Sequence, residues 1–202
     1  MSMDVMASLD EMQQGLDWVH WLLRSLRQRC AGIVLPEASC AADLFSRWQH
    51  LAKERFRGGM GQSLLEVMRK AADHRRVEWG PLESRWVALL SSEEAERSAK
   101  AGHWLLKSVK GARHAASLTN LAGRVMSGEL VGHIGIVWPV VASTFQLPEV
   151  AMLSEYLRLE YQCAARLLPE VPLDAGGNEI VASVSRVIGE MPSGHTDVVG
   201  RC

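Results

Sequence analysis

Histidine and carboxylate side chains are the residues of this chain best suited to bind a metal ion or to move a proton. His50 and Glu54 stand one helical turn apart, a spacing at which two ligands can share one face of a helix. Helical di-metal sites need several such pairs and this pair does not recur, so we interpret it as a surface polar pair. His133 is the best single candidate. It lies between Gly132 and an apolar segment, where a polar ring either caps a helix or contacts another molecule.

The known signatures of nucleotide binding and hydrolysis are missing from the sequence. There is no Gly-x-Gly-x-x-Gly, Walker loop, Gly-x-Ser-x-Gly elbow or His-Glu-x-x-His motif. Gly58-Gly59-Met60-Gly61 comes nearest to a phosphate loop, but no strand precedes it, and we interpret it as a helix stop. The four cysteines form no Cys-x-x-Cys pair, which indicates reduced thiols in a cytosolic protein. We therefore predict no catalytic, cofactor-binding or metal site.

The elements that carry these residues are predicted to be helices. Apolar residues recur at three- and four-residue steps along the chain, and no convincing period-two alternation is found. Ser91 and Glu94 stand at capping-box spacing and predict the start of a long helix, and Pro148-Glu149 predicts another start. The fold prediction is all-α: a single-domain helical bundle of about eight to ten helices over residues 1–191, with a flexible C-terminal tail at residues 192–202.

Charge and hydropathy exclude several classes of partner. The chain has 22 Lys and Arg residues against 23 Asp and Glu residues, without the basic excess typical of nucleic-acid binding. The longest apolar stretch, residues 134–145, is interrupted by Pro139 and is too short to span a membrane. The first twelve residues are acidic, the reverse of a secretion signal. We expect a cytoplasmic protein that binds neither nucleic acid nor membrane.

The seven tryptophans are many for a chain of 202 residues. A base-stacking platform would require interleaved Lys and Arg residues, which these tryptophans lack. We expect most of them to fill the core and some to lie at a partner surface, where Trp is enriched. This pattern favours protein association over chemistry.

Short motifs follow one another in a defined order in the second half of the chain. They are Gly132-His133 ahead of an apolar helix, Leu147-Pro148-Glu149, Tyr156-Leu157, Ala164-Ala165-Arg166-Leu167, and Pro172-Leu173 ahead of Gly176-Gly177. In order and spacing, residues 128–191 resemble the urease accessory protein UreF family. Upstream, Glu93-Glu94-Ala95-Glu96-Arg97 leading into Gly102-His103-Trp104-Leu105-Leu106 is similar to the charged helix and Gly-x-x-Leu-Leu segment of that family.

The two ends depart from the family pattern. UreF proteins normally begin with a Pro-x-Gly-Gly-Phe turn and a Ser-x-Gly-Leu-Glu sequence, whereas this chain has at most Gln14-Gly15-Leu16-Asp17. The basic-aromatic ending of the family is also missing, and residues 194–202 stand in its place. Both parts contribute to partner docking in the family, so the resemblance implies a divergent member with altered partners.

The resemblance implies a non-enzymatic scaffold. UreF proteins form homodimers, bind the UreD (UreH) accessory protein and with it recruit the GTPase UreG, and so assist nickel insertion into apo-urease. Gly132, His133, Arg158, Glu160 and Arg166 are the candidate partner-binding residues under this reading. The alternative for Arg158 and Glu160 is an ordinary solvated helix face. The alternative for Arg166 is a bond to helix-terminal carbonyl groups.

A second hypothesis comes from another functional class. A small all-helical haem- or iron-dependent oxygenase would place one histidine as a ligand within a bundle of this size. His20 or His103 would be the axial ligand in that case. His103 precedes Trp104 on the capped helix, and a simple position on the helix face is the alternative for it.

Overall fold

The computed structural model describes residues 17, 19, 21–26, 41–73, 77–109, 115–165 and 186. Over these residues it contains helices and no strand, which confirms the all-α prediction. Residues 21–26 are helical, and seven further α-helices follow. They are α1 Ala41–Arg55, α2 Gly61–Ala72, α3 Trp79–Val87, α4 Ser92–Ser108, α5 Ala116–Met126, α6 Ile134–Thr144 and α7 Glu149–Ala165. The predicted tail lies outside the described residues.

Helix α6 forms the centre of the bundle. Its residues 134–142 are all buried, as expected for a helix that is apolar on every side. Helices α2, α3, α4, α5 and α7 all pack against it. Gly135 permits one close approach, because a Cβ atom at this position would lie 2.1 Å from the Trp86 ring of α3. Within the described residues, no helix is both long enough and apolar enough to cross a membrane.

The junction between α1 and α2 differs from the predicted stop at Gly58-Gly59. A π-helical turn, Phe56–Met60, joins the two helices without a loop. Gly59 has a φ of +114°, a conformation open to glycine because it has no Cβ atom, and it turns the chain here. Phe56 and Met60 are buried on either side of the kink. Gly59 therefore bends the chain as a stop would, but α2 begins directly after the kink because Met60 is held in the core.

The start of α4 agrees with the sequence. The Ser91 hydroxyl accepts a hydrogen bond from the Glu94 amide at 3.3 Å, and the Glu94 carboxylate accepts one from the Ser91 amide at 2.7 Å. This is the predicted capping box. The Glu94 carboxylate also binds the Arg55 guanidinium, which in addition donates to the Leu89 carbonyl at 2.8 Å. The cap of α4 is therefore tied to the end of α1.

Most tryptophans lie in the core, as predicted. Four have no exposed surface: Trp48, Trp79, Trp86 and Trp138. The indole N–H groups of the last three donate to Asn120, Ser98 and the Met152 carbonyl at 2.8, 3.0 and 3.1 Å, respectively. These three bonds satisfy the buried indoles and orient the rings, whereas the buried Trp48 Nε1 has no partner in the described structure. Trp104 is partly buried, and Trp21 is 56% exposed.

Candidate functional site

The turn at residues 131–133, which leads into α6, lies directly against α4. A Cβ atom at Gly102 of α4 would lie 1.9 Å from the Gly132 carbonyl oxygen and 2.8 Å from the His133 carbonyl carbon. Gly132 itself has a φ of +80°, and a Cβ atom there would lie 2.9 Å from a methyl group of Val125. The turn can approach the α4 backbone this closely only because residue 102 is glycine, while the positive φ at residue 132 favours glycine there. Two of the motifs noted in the sequence, Gly102-His103 and Gly132-His133, therefore meet in the fold.

A buried carboxylate holds the turn from the other side. Glu83 of α3 accepts three backbone hydrogen bonds: Oε2 from Val131 at 2.9 Å, and Oε1 from Gly132 at 2.7 Å and His133 at 3.3 Å. The bonds compensate for the loss of water around the charge. A negative group at this point also complements the positive N-terminal end of α6. Glu83 thus fixes the geometry of the turn.

His133 occupies the N-cap position of α6, but its ring takes neither of the roles predicted from the sequence. The side chain makes no capping bond and is only 5% exposed. Glu83 satisfies the amides of the turn instead, and the ring turns inward. The pKa of His133 is lowered, mainly because the ring is buried, and nearby His103 lowers it further. The charge of Glu83 and a hydrogen bond with the Ala95 backbone raise the pKa, but they do not outweigh burial. Nδ1 has no hydrogen-bond partner in the described structure.

His103 lies on the exposed face of α4, as the simpler interpretation predicted. Its Nε2 is 2.5 Å from the Val131 carbonyl oxygen. Because a carbonyl only accepts, Nε2 carries the proton in this contact. An exposed ring engaged in this way lends no support to the axial-ligand role of the oxygenase hypothesis. His20, the other axial candidate, lies outside the described residues.

Two further partner-binding candidates, Arg158 and Glu160, belong to a different helix, α7. Arg158 is partly exposed and forms an ion pair with Glu155, with Nη1 and Oε1 3.4 Å apart. Glu160 is 3% exposed, so the solvated-face alternative is wrong for this residue. It lies one turn after Tyr156, whose pKa is raised by burial and further by the charge of Glu160. Arg166 lies outside the described residues.

The described residues do not form a cluster of metal ligands. Among them, no group of three or more His, Cys, Asp or Glu side chains is placed to hold an ion. His50 and Glu54 are both exposed, which confirms the interpretation as a surface pair. Cys163 of α7 is buried and is not part of a disulfide.

Sequence reasoning did not identify Glu83. One signal was present, because Trp79, Leu82 and Trp86 define the buried face of α3 and Glu83 falls on that face. A carboxylate in such a position requires buried donors. Its partners are the amides of residues 131–133, and nothing local indicates them. Glu83 and the close approach at Gly102 together hold residues 131–133 in place. These residues follow directly on residues 127–130, the turn that ends α5.

Comparison of the chain with family models, with curated proteins and with solved structures finds no match.

Proposed function

We propose that this chain is a UreF-like urease accessory scaffold. In this role it binds UreD/UreH-type and UreG-type accessory proteins, acts as a homodimer in the cytoplasm, and assists nickel insertion into apo-urease without catalysing a reaction. The support comes from the ordered motifs of the second half of the chain and from an all-helical fold that fits such a scaffold. Nickel is the cargo of the assembly in this proposal.

One structural observation carries the proposal. The two motif blocks that bear the resemblance, Gly102-His103 and Gly132-His133, lie far apart in sequence and pack against each other. A chance likeness between short helical segments would not require the blocks to touch. Their contact through Gly102 supports the view that the two blocks belong to one packing unit, as a shared fold would predict.

The mechanism in this proposal is differential binding. A scaffold shifts its partners toward one conformation only when it binds that conformation more tightly than the alternatives. A turn fixed by Glu83 and by the Gly102 crossing suits this task, since a rigid surface loses little conformational entropy when a partner binds.

Complementation tests the proposal. A urease gene cluster that lacks its own UreF-type gene is expressed with nickel in a heterologous host, with and without this chain. We expect the chain to raise the nickel content of the purified urease and its activity, and a tagged chain to co-purify with the UreD/UreH-type protein. Gly102→Ala should lose both effects, whereas Gly123→Ala, which adds a Cβ atom to open space on α5, should retain them.

The proposal is wrong if the chain is folded by circular dichroism in the same host, yet neither the nickel content nor the recovery of the UreD/UreH-type protein rises above the level without it. Visible absorbance of a bound haem in the purified chain would instead favour the oxygenase hypothesis.

A further inference from the structure

Two large apolar side chains are exposed close together in sequence, one at the end of α5 and one in the segment that leads to α6. Met126 is 78% exposed and Val131 is 47% exposed. The other large apolar residues that are exposed in the described structure, Trp21 and Val150, lie on separate helical segments. Single exposed apolar residues are ordinary, but two of them on either side of one tight helix end are a candidate contact surface.

Backbone and side-chain hydrogen bonds fix the conformation of the turn between α5 and α6. Val131 donates its amide to Glu83 at 2.9 Å and offers its carbonyl to His103. At the end of α5, Gly128 has a φ of +80° and donates to the Val125 carbonyl at 3.2 Å, and Glu129 donates to the Arg124 carbonyl at 3.0 Å. This is a Schellman motif. The apolar pair is therefore presented by a preorganised backbone.

Positive charge borders this apolar pair. Lys100, His103 and Lys107 form an exposed stripe along α4, and His103 contacts the backbone of Val131. Among the residues that the structure describes, neither lysine forms an ion pair. The acid on the turn itself, Glu129, is neutralised by Arg124 through a bond of 2.8 Å, which lowers the pKa of Glu129. Glu129 is therefore engaged by Arg124 rather than by either lysine.

We propose that this face, made of Lys100, His103, Lys107, Met126 and Val131, docks an acidic amphipathic helix of a partner protein. Apolar side chains of that helix pack on Met126 and Val131, and carboxylates on its flank meet the two lysines. The lysines lie two helical turns apart, about 10 Å, which matches residues seven apart on a docked helix. The proposal does not depend on the client being a urease.

A synthetic helix tests this proposal on the full chain. The probe is an 18-residue fluorescent peptide with leucine at helical i, i+3, i+4 and i+7 positions, glutamate on both flanks and glutamine elsewhere. A second peptide carries lysine in place of every glutamate. Fluorescence anisotropy should show binding of the acidic peptide at least about tenfold tighter than binding of the basic peptide, with affinity falling as salt is raised.

Surface variants locate the binding. Lys100→Glu with Lys107→Glu, and separately Met126→Asp, should each weaken binding of the acidic peptide by about tenfold or more. The matched controls are Lys70→Glu on α2 and Val150→Asp on α7, which make the same kinds of change at other exposed positions and should leave the affinity unchanged. Lys100→Gln with Lys107→Gln gives a milder test, since it removes the charges without reversing them.

Several outcomes would overturn the proposal. One is failure of the acidic peptide to bind at millimolar concentration, and another is equal binding of both peptides. Equal losses in the control variants would show that the peptide binds elsewhere. Sedimentation that reveals a dimer dissociated by Met126→Asp would assign this face to a second copy of the chain instead.

Discussion

Removal of the Glu83 carboxylate is the most direct test of the anchor described above. Glu83→Ala leaves three amides without their acceptor, those of Val131, Gly132 and His133. A buried donor that loses its partner costs about 1–3 kcal/mol. Water can reach the partly buried Val131 amide, so the loss comes mainly from the two buried amides, and we expect a destabilisation of about 4 kcal/mol.

The glutamine variant refines the test. Glu83→Gln can keep the two bonds made by Oε1, but its amide nitrogen then faces the Val131 N–H, donor against donor. We expect this variant to lose about 1–2 kcal/mol, less than alanine, since one oxygen still accepts. Intermediate stability would therefore assign the effect to hydrogen bonding, whereas a pure packing effect would leave glutamine close to the wild type.

Urea denaturation followed by far-UV circular dichroism measures both losses, provided that the m-value stays constant. Glu78→Ala is the control, because Glu78 is exposed at the start of the same helix and makes no capping bond, and it should change stability by less than about 0.5 kcal/mol. The reasoning fails if Glu83→Ala lies within about 1 kcal/mol of the wild type. It also fails if the amides of residues 131–133 keep their hydrogen-exchange protection in that variant.

Two other perturbations address the same region. Gly102→Ala should destabilise the fold by roughly 3 kcal/mol or more because its Cβ atom meets the Gly132 backbone, while Gly123→Ala should be neutral or slightly stabilising. Thermal melting compares the two, and equal melting temperatures would contradict the close crossing. His133 has a lowered pKa, so the unfolded chain takes up its proton first, and stability should be full above pH 6.5 and fall as the pH drops below it. His133→Asn should reduce this loss below pH 6.5 in denaturation experiments, and an unchanged pH dependence would exclude His133 as its source.

The features that could be predicted from the sequence depend on residues close together in the chain. The capping box links Ser91 to Glu94, and the bend at Gly59 follows from a conformation open to glycine. The direct continuation from α1 into α2 was missed, because it depends on how Phe56 and Met60 pack in the core. Glu83 was missed for the same reason, since its partner amides lie some fifty residues further along the chain.

The sequence by itself determined the helical class, the starts of α4 and α7 and the apolar character of α6, because helical periodicity and capping are local properties. Only the tertiary structure decided that His133 and Glu160 turn inward and that Val131 remains outside. The exposure of a side chain depends on which distant helix packs against its turn. For Val131 and His133, the approach of α4 at Gly102 and of α3 at Glu83 sets that outcome.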